Sequence, residues 1–246
     1  MKHTSPTATE STVTSVPTVT IDGPGGSGKG SAASRLARAL GWHYLDSGLL
    51  YRLTALAAAD HGIDCDDQAR LATLASDLDV QFLADCSTEK GESILLEGAP
   101  VGQSVRSEEV GNRASVIAAL PAVRTALLGR QRAFAQLPGL IADGRDMGTV
   151  VFPDAALKIF LTATAEERAR RRFVQLRRQG LSARLTDLLE QVTIRDRRDA
   201  ERPVAPLKPA ADAVVLDSTH LSLDEVVGKL LALVSEKDLI EETVRQ

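Results

Sequence analysis

Short apolar runs alternate with longer amphipathic stretches along most of this chain. Runs at 18–22, 43–46, 140–143, 157–161 and 213–216 are short, rich in aliphatic residues and bounded by turn formers, as buried strands are. Apolar positions at helical spacing predict helices over 29–40, 48–61, 108–119, 123–136, 165–179, 186–200 and 223–236. Asp217-Ser218 and Ser222 read as start signals for the last of these. Parallel strands need crossover connections, so this alternation implies an α/β fold, with a five-stranded parallel sheet flanked by helices. One segment departs from the rhythm. Leu78 to Leu83 and Ser93 to Glu97 read as paired strands joined by a polar loop around Lys90-Gly91, with a short helix before them and a third short strand near Val101. The expected organisation is a core of 18–62 and 114–235, an inserted α+β lobe at 63–113, and tails at 1–17 and 236–246. The insertion is either a surface ornament or a lobe that closes over a substrate, and its place between the second and third core strands favours the lobe.

Composition narrows the function. A chain of 246 residues can bury one α/β core with a small appended lobe. A net charge of −4 argues against non-specific nucleic-acid binding. Yet many arginines crowd between Arg168 and Arg202, and a local cationic cleft in an acidic protein suits a small polyanion. Cys65 and Cys86 have no metal-ligand spacing and read as reduced thiols. No apolar run approaches the ~20 residues that span a bilayer. Residues 1–17 are rich in Ser, Thr and Pro and lack the apolar segment of a secretory signal, so they read as a disordered tail on a cytoplasmic protein.

The chemistry concentrates after the first strand. There Gly23-Pro24-Gly25-Gly26-Ser27-Gly28-Lys29-Gly30-Ser31 leads directly into an alanine-rich helix. Strand, glycine loop and helix start in that order aim backbone N–H groups and the positive helix end at one point, where a polyphosphate can sit. Lys29 adds a charge that reaches the β- and γ-phosphates, and Ser31 is placed to hold Mg²⁺. Gly30 separates the lysine from the hydroxyl, a form that resembles nucleoside monophosphate kinases more than signalling GTPases. No Asn-Lys-x-Asp tetrapeptide of the guanine-reading kind occurs.

Further candidates lie at other strand ends, where doubly wound sheets bind their ligands. Ser47 begins the helix after the second strand; Arg52 can face the Lys29 crevice and grip a phosphate, while Tyr51 can pack on a sugar. The third strand runs into Asp143-Gly144-Arg145-Asp146-Met147-Gly148. Asp143 would stand beside the glycine loop and reach Mg²⁺ through water, Arg145 would take an acceptor phosphate, and Asp146 would accept hydrogen bonds from a base amino group. Arg195, Asp199 and Arg202 share one helix face by spacing and would fold over a ligand; the alternative is a solvated helix with exposed ion pairs. Arg168, Arg171, Arg172 and Arg178 could line the same lid, within 176–203 or just before it, and the sequence does not say which of them reach phosphate.

The loop, Leu45-Asp46-Ser47-Gly48 with Tyr51-Arg52, the run from Gly139 to Asp154, the Arg195–Pro206 segment and Asp212 to Ser218 together resemble the bacterial cytidylate kinases over about residues 18–235. Ser31 stands where that family usually has Thr, and the hydroxyl is retained. The resemblance implies a kinase that moves the γ-phosphoryl group of ATP to CMP or dCMP, with Mg²⁺, in pyrimidine nucleotide metabolism. It implies acceptor contacts from Ser47, Arg52, Ser115, Arg124, Arg145, Asp146, Arg195, Asp199 and Arg202, with Lys29, Arg145 and Arg195 acting on the transferred phosphate. Ser115, Arg124, Asp146 and Arg202 would surround the cytosine, and Arg195 and Asp199 the ribose. The partners are then free nucleotides, with no nucleic acid and no membrane, and the protein is expected to be a monomer. Another small-molecule kinase, of uridylate or shikimate type, and a non-catalytic nucleotide switch are the competing readings.

Overall fold

The computed structural model describes residues 16–82, 94–102, 104–178 and 180–239. Residues 1–15 and 240–246 of the expected tails, Leu83, Cys86, the Lys90-Gly91 loop, Ser93 and Gln179 lie outside the described residues. The main sheet contains β1 (Thr18–Asp22), β2 (His43–Asp46), β6 (Leu140–Gly144), β7 (Leu157–Thr162) and β8 (Val214–Asp217). Its order is β2-β6-β1-β7-β8 and every pairing is parallel, as the alternation implied. Between β2 and β6 stand α2 (Ser47–Asp60), α3 (Gln68–Ser76), β3 (Val80–Phe82), β4 (Ile94–Leu96), β5 (Ala99–Pro100), α4 (Glu108–Ile117) and α5 (Pro121–Arg132). The remaining helices are α1 (Lys29–Leu40), α6 (Ala165–Arg178), α7 (Leu185–Ala200) and α8 (Leu223–Glu236).

Side-chain alternation along the strands divides the core into two layers. Val19 and Ile21 of β1 and Ile141 of β6 pack with Leu36 of α1 and with Val226 and Leu230 of α8. Leu140 and Ala142 face the other side, against Leu50 of α2 and Val123 and Leu127 of α5. β1 is therefore central, and the loop it feeds is held at a rigid point.

Local chemistry explains the boundaries that moved. α2 begins at Ser47, because the Asp46 side chain accepts the Leu49 N–H and caps it. α5 begins earlier than expected because Pro121 suits a first helical turn. Asp217 and Ser218 do not start α8; Ser222 does, in a reciprocal capping box with Glu225. After Asp146 the chain makes a wide π-type turn over Met147–Val151 that periodicity did not foresee. The insertion forms a three-stranded antiparallel sheet, β3-β4-β5, with β5 beside the expected Val101. Leu78, Ile94, Leu96, Val101 and Val105 bury themselves against Leu49, Leu53 and Ala57 of α2. The expected border at residue 113 falls inside α4, which Ser107 caps. Among the described residues no helix is long and apolar enough to cross a membrane.

Candidate functional site

The crevice at the C-terminal ends of β1, β2 and β6 gathers charge that burial would ordinarily forbid. Lys29, Asp143, Asp146, Asp199, Arg124 and Arg202 are all buried there. The loop between β1 and α1 sets its floor. Gly28 caps α1 at φ 90° and Gly26 has φ 81°, left-handed conformations that glycine adopts without strain. The first turn of α1 carries no acidic residue, so nothing local neutralises its N–H groups. Lys29 folds back toward the loop, its Nζ donating to Pro24 O at 3.4 Å. Burial and then the neighbouring Arg145 charge pull the Lys29 ammonium down to about 7.

Amides can converge on an anion only if the loop carbonyls turn outward, and outward carbonyls under the protein surface need donors of their own. Arginines of α6 supply them. Arg168 donates from Nη1 to Gly25 O at 3.1 Å, and Arg171 from Nη1 to Ser27 O at 3.1 Å. Ser218, beyond β8, gives a third bond, to Ser27 O at 3.1 Å. Arg168 is 4 % exposed and also forms a bidentate pair with Asp196 of α7, which ties the loop to that helix. The sequence left open whether these side chains line a lid; Arg168 and Arg171 are engaged with carbonyls of the loop. Arg172 pairs with Glu108 at 2.8 Å, and Arg178 ends α6 exposed.

Two arginines cover the front. A side chain built on Gly25 would lie 3.4 Å from Arg145 Nη2 and 3.6 Å from Arg195 Cζ, so both guanidinium groups lie over the loop. Arg145 Nε is held by Asp199 Oδ2 at 2.8 Å. Arg195 is lowered to about 10, by burial and then by Arg145. Burial alone would raise Asp199, but the Arg145 and Arg202 charges outweigh it and hold that carboxyl at about 2. Ser115 Oγ donates to Asp199 at 3.3 Å, and Arg202 pairs with it as well. Arg202 thus joins Arg195 and Asp199, although α7 ends at Ala200 and the shared helix face does not extend to it.

Deeper in, Arg124 pairs with Asp146, and its Nη1 donates to Ala118 O at 3.2 Å. Burial pushes the Asp146 carboxyl up even so. Tyr51, read as able to pack on a sugar, is buried in the α2 layer, with the charges of Arg124, Asp146 and Arg202 acting on its hydroxyl. Arg52 is drawn toward the insertion, its Nη1 donating to Val105 O and Ser107 O at 3.0 Å each. Ser47 is buried, its Oγ 2.5 Å from where a Cβ on Gly144 would stand, which only glycine permits. Asp46 and Asp143 are register partners on β2 and β6. Tyr44, which sequence reasoning passed over, donates to Asp143 Oδ2 at 2.5 Å. Burial and then the Asp46 charge raise Asp143 to about 7. Cys65 is half-buried and free.

Several buried donors are left without a protein partner in this crevice: Ser27 Oγ, Arg195 Nε and Arg202 Nε. Unpaired buried donors of this kind suit an anionic, hydrogen-bonding ligand. A match to the cytidylate kinase family model spans residues 19–236. A cytidylate kinase of Stutzerimonas stutzeri (strain A1501) is 59 % identical over 224 residues, covering 91 % of this chain and 97 % of that protein. Cytidylate kinases of Pseudomonas putida (strain W619) and Pseudomonas entomophila (strain L48) are 57 % and 58 % identical over 224 residues, covering 91 % of this chain and 98 % of each.

Proposed function

The chain belongs to the cytidylate kinase family, a family of phosphotransferases, and from that premise we propose how its own residues divide the two nucleotides between them. The observation that carries the reading is the pair of guanidinium groups over Gly25, Arg145 and Arg195, of which Arg145 also lies close enough to the buried Arg124–Asp146 pair for its charge to act on the Asp146 carboxyl. ATP phosphates rest on the Gly23–Ser31 loop, with Lys29 beside the β- and γ-phosphates. CMP or dCMP enters on the other side. Arg145, Arg195 and Arg52 receive its phosphate, and Asp199 and Arg195 meet the sugar. Ser115, Arg124, Asp146 and Arg202 read the base.

Cytosine presents an amino donor at C4 and acceptors at N3 and O2, matching two acceptor groups, Asp146 and Ser115, and two arginine donors. Uracil reverses two of those pairings, leaving buried groups unpaired at about 1–3 kcal/mol each. The acceptor phosphate is already ionised at neutral pH, so the site supplies position and charge rather than a general base. Mg²⁺ suits the hard oxygen donors at hand, the Ser31 hydroxyl on the first turn of α1 and, through water, the Asp143 carboxylate. When bound, it neutralises charge on the donor phosphates. A single chain holds every residue invoked, so the reading needs no second copy and is that of a monomer acting on free nucleotides; a cytoplasmic location belongs to the same proposal.

The test is product formation from ATP with CMP, dCMP, UMP and AMP in turn. CMP or dCMP is expected to give diphosphate with kcat/KM about a hundredfold above UMP. Comparable turnover of UMP or AMP would overturn the base assignment, and ATP binding without diphosphate from any of the four would leave a switch.

The clamp behind the loop gives a separate expectation. Arg168→Lys keeps the charge but loses the fork that spans Gly25 O and Asp196. It is expected to raise the KM for ATP about tenfold with the KM for CMP little changed. A rise confined to CMP would place Arg168 elsewhere in the mechanism.

A further inference from the structure

Asp22 ends β1 directly ahead of the glycine loop and is 4 % exposed. A carboxylate at that depth requires partners, and its partners are not in the loop. Oδ1 accepts the Met147 N–H at 2.8 Å and Oδ2 accepts the Gly148 N–H at 2.8 Å. Those two amides open the wide turn after Asp146. The Asp146 side chain makes no bond to that turn and faces Arg124 instead. The turn is also pressed onto β1, since a Cβ on Gly148 would stand 2.8 Å from Thr20 Oγ1.

The Met147 N–H belongs to the peptide plane that begins at the Asp146 carbonyl. Holding it fixes ψ of Asp146 and so the position from which that side chain projects. A second bond, to the next amide, removes the remaining rotation. One acceptor oxygen could fix the distance but not the orientation.

We propose that Asp22 is a positioning residue that aims the Asp146 carboxylate from the strand bearing the glycine loop, and so sets base selection without touching the base. The proposal rests on the reading that Asp146 meets the cytosine amino group. The charged groups facing Asp22 are Asp146, which repels it, and Lys29, which attracts it. Burial outweighs both amide bonds and raises its carboxyl to about 6. Protonation in that range gives one oxygen a hydrogen in place of a lone pair, which loosens the clamp.

Asp22→Asn keeps the volume and one acceptor but turns an NH₂ toward a backbone N–H. It is expected to reduce the ratio of kcat/KM for CMP over UMP about tenfold, with the KM for ATP changed less than about twofold. Equal losses for CMP and UMP, leaving the ratio as in the wild type, would mark a merely structural prop and overturn the proposal. Asp146→Asn measured alongside separates the two ideas. If it lowers the ratio and Asp22→Asn does not, only the positioning role falls; if neither lowers it, the base reading falls too. Should Asp22→Asn not fold, Asp22→Ser, which keeps one oxygen but gives up the grip on two amides at once, is read by the same ratio: a lowered ratio of kcat/KM for CMP over UMP is expected, and a wild-type ratio would overturn the proposal.

Discussion

Lys29→Met is expected to lower the turnover number by about a thousandfold or more, because the proposed reading puts the ammonium where charge develops on the transferred phosphoryl group. The same change is expected to leave the melting temperature unchanged or to raise it. The folded-state pKa of Lys29 lies below its unfolded value, pulled to about 7 by burial and by Arg145. Between that value and the ordinary lysine range the unfolded chain binds the extra proton, so stability gained from this group rises with pH. At neutral pH and below, a charged Lys29 in the empty crevice opposes folding. A nucleotide's phosphates would reverse that sign by pairing the charge. Turnover and melting temperature measured on one preparation check both halves. A variant that kept near wild-type turnover would remove the lysine from the chemistry.

Asp146→Ala is expected to lower kcat/KM for CMP by about a hundredfold or more, far beyond any change in ATP binding. It should also destabilise the fold by about 3 kcal/mol, since removing one member of a buried pair strands Arg124 without a counter-charge. The wild-type pair is not retained for stability alone: burial raises the Asp146 carboxyl despite Arg124 beside it. The kinetic and denaturation measurements are independent. A loss shared equally by CMP and ATP would point to a collapsed site rather than a lost base contact.

What was legible in the sequence was what local chemistry dictates. The β1–loop–α1 unit reads directly, since its glycines, strand run and helix pattern are contiguous. The parallel sheet follows from alternation, and the insertion from its break. Arg195, Asp199 and Arg202 were grouped correctly by spacing, but for a reason that holds only to Ala200; the Arg202 side chain reaches Asp199 from beyond the helix end. Residues whose partners are distant backbone atoms were not legible. Nothing around Arg168 or Arg171 announces that their targets are carbonyls at Gly25 and Ser27. Asp22 read only as the last residue of a strand, because the amides it holds at Met147 and Gly148 come beside it solely through the β1–β6 register. Tyr51 was read as able to pack on a sugar because it follows the end of the second strand, whereas its place on the helix turns it into the core.

The bonds to the loop carbonyls bear on the order in which the chain is made. The glycine loop follows the first strand, yet the side chains that hold its carbonyls come much later: Arg168 and Arg171 from α6 and Ser218 from beyond β8. β1 itself is flanked by β6 and β7, which also emerge late in synthesis. A nascent chain on the ribosome therefore carries the loop sequence long before it can hold the loop shape. The loop acquires its full set of supports only when nearly all of the core has been translated, so a product cut short before Ser218 would lack one of the bonds that hold the loop carbonyls.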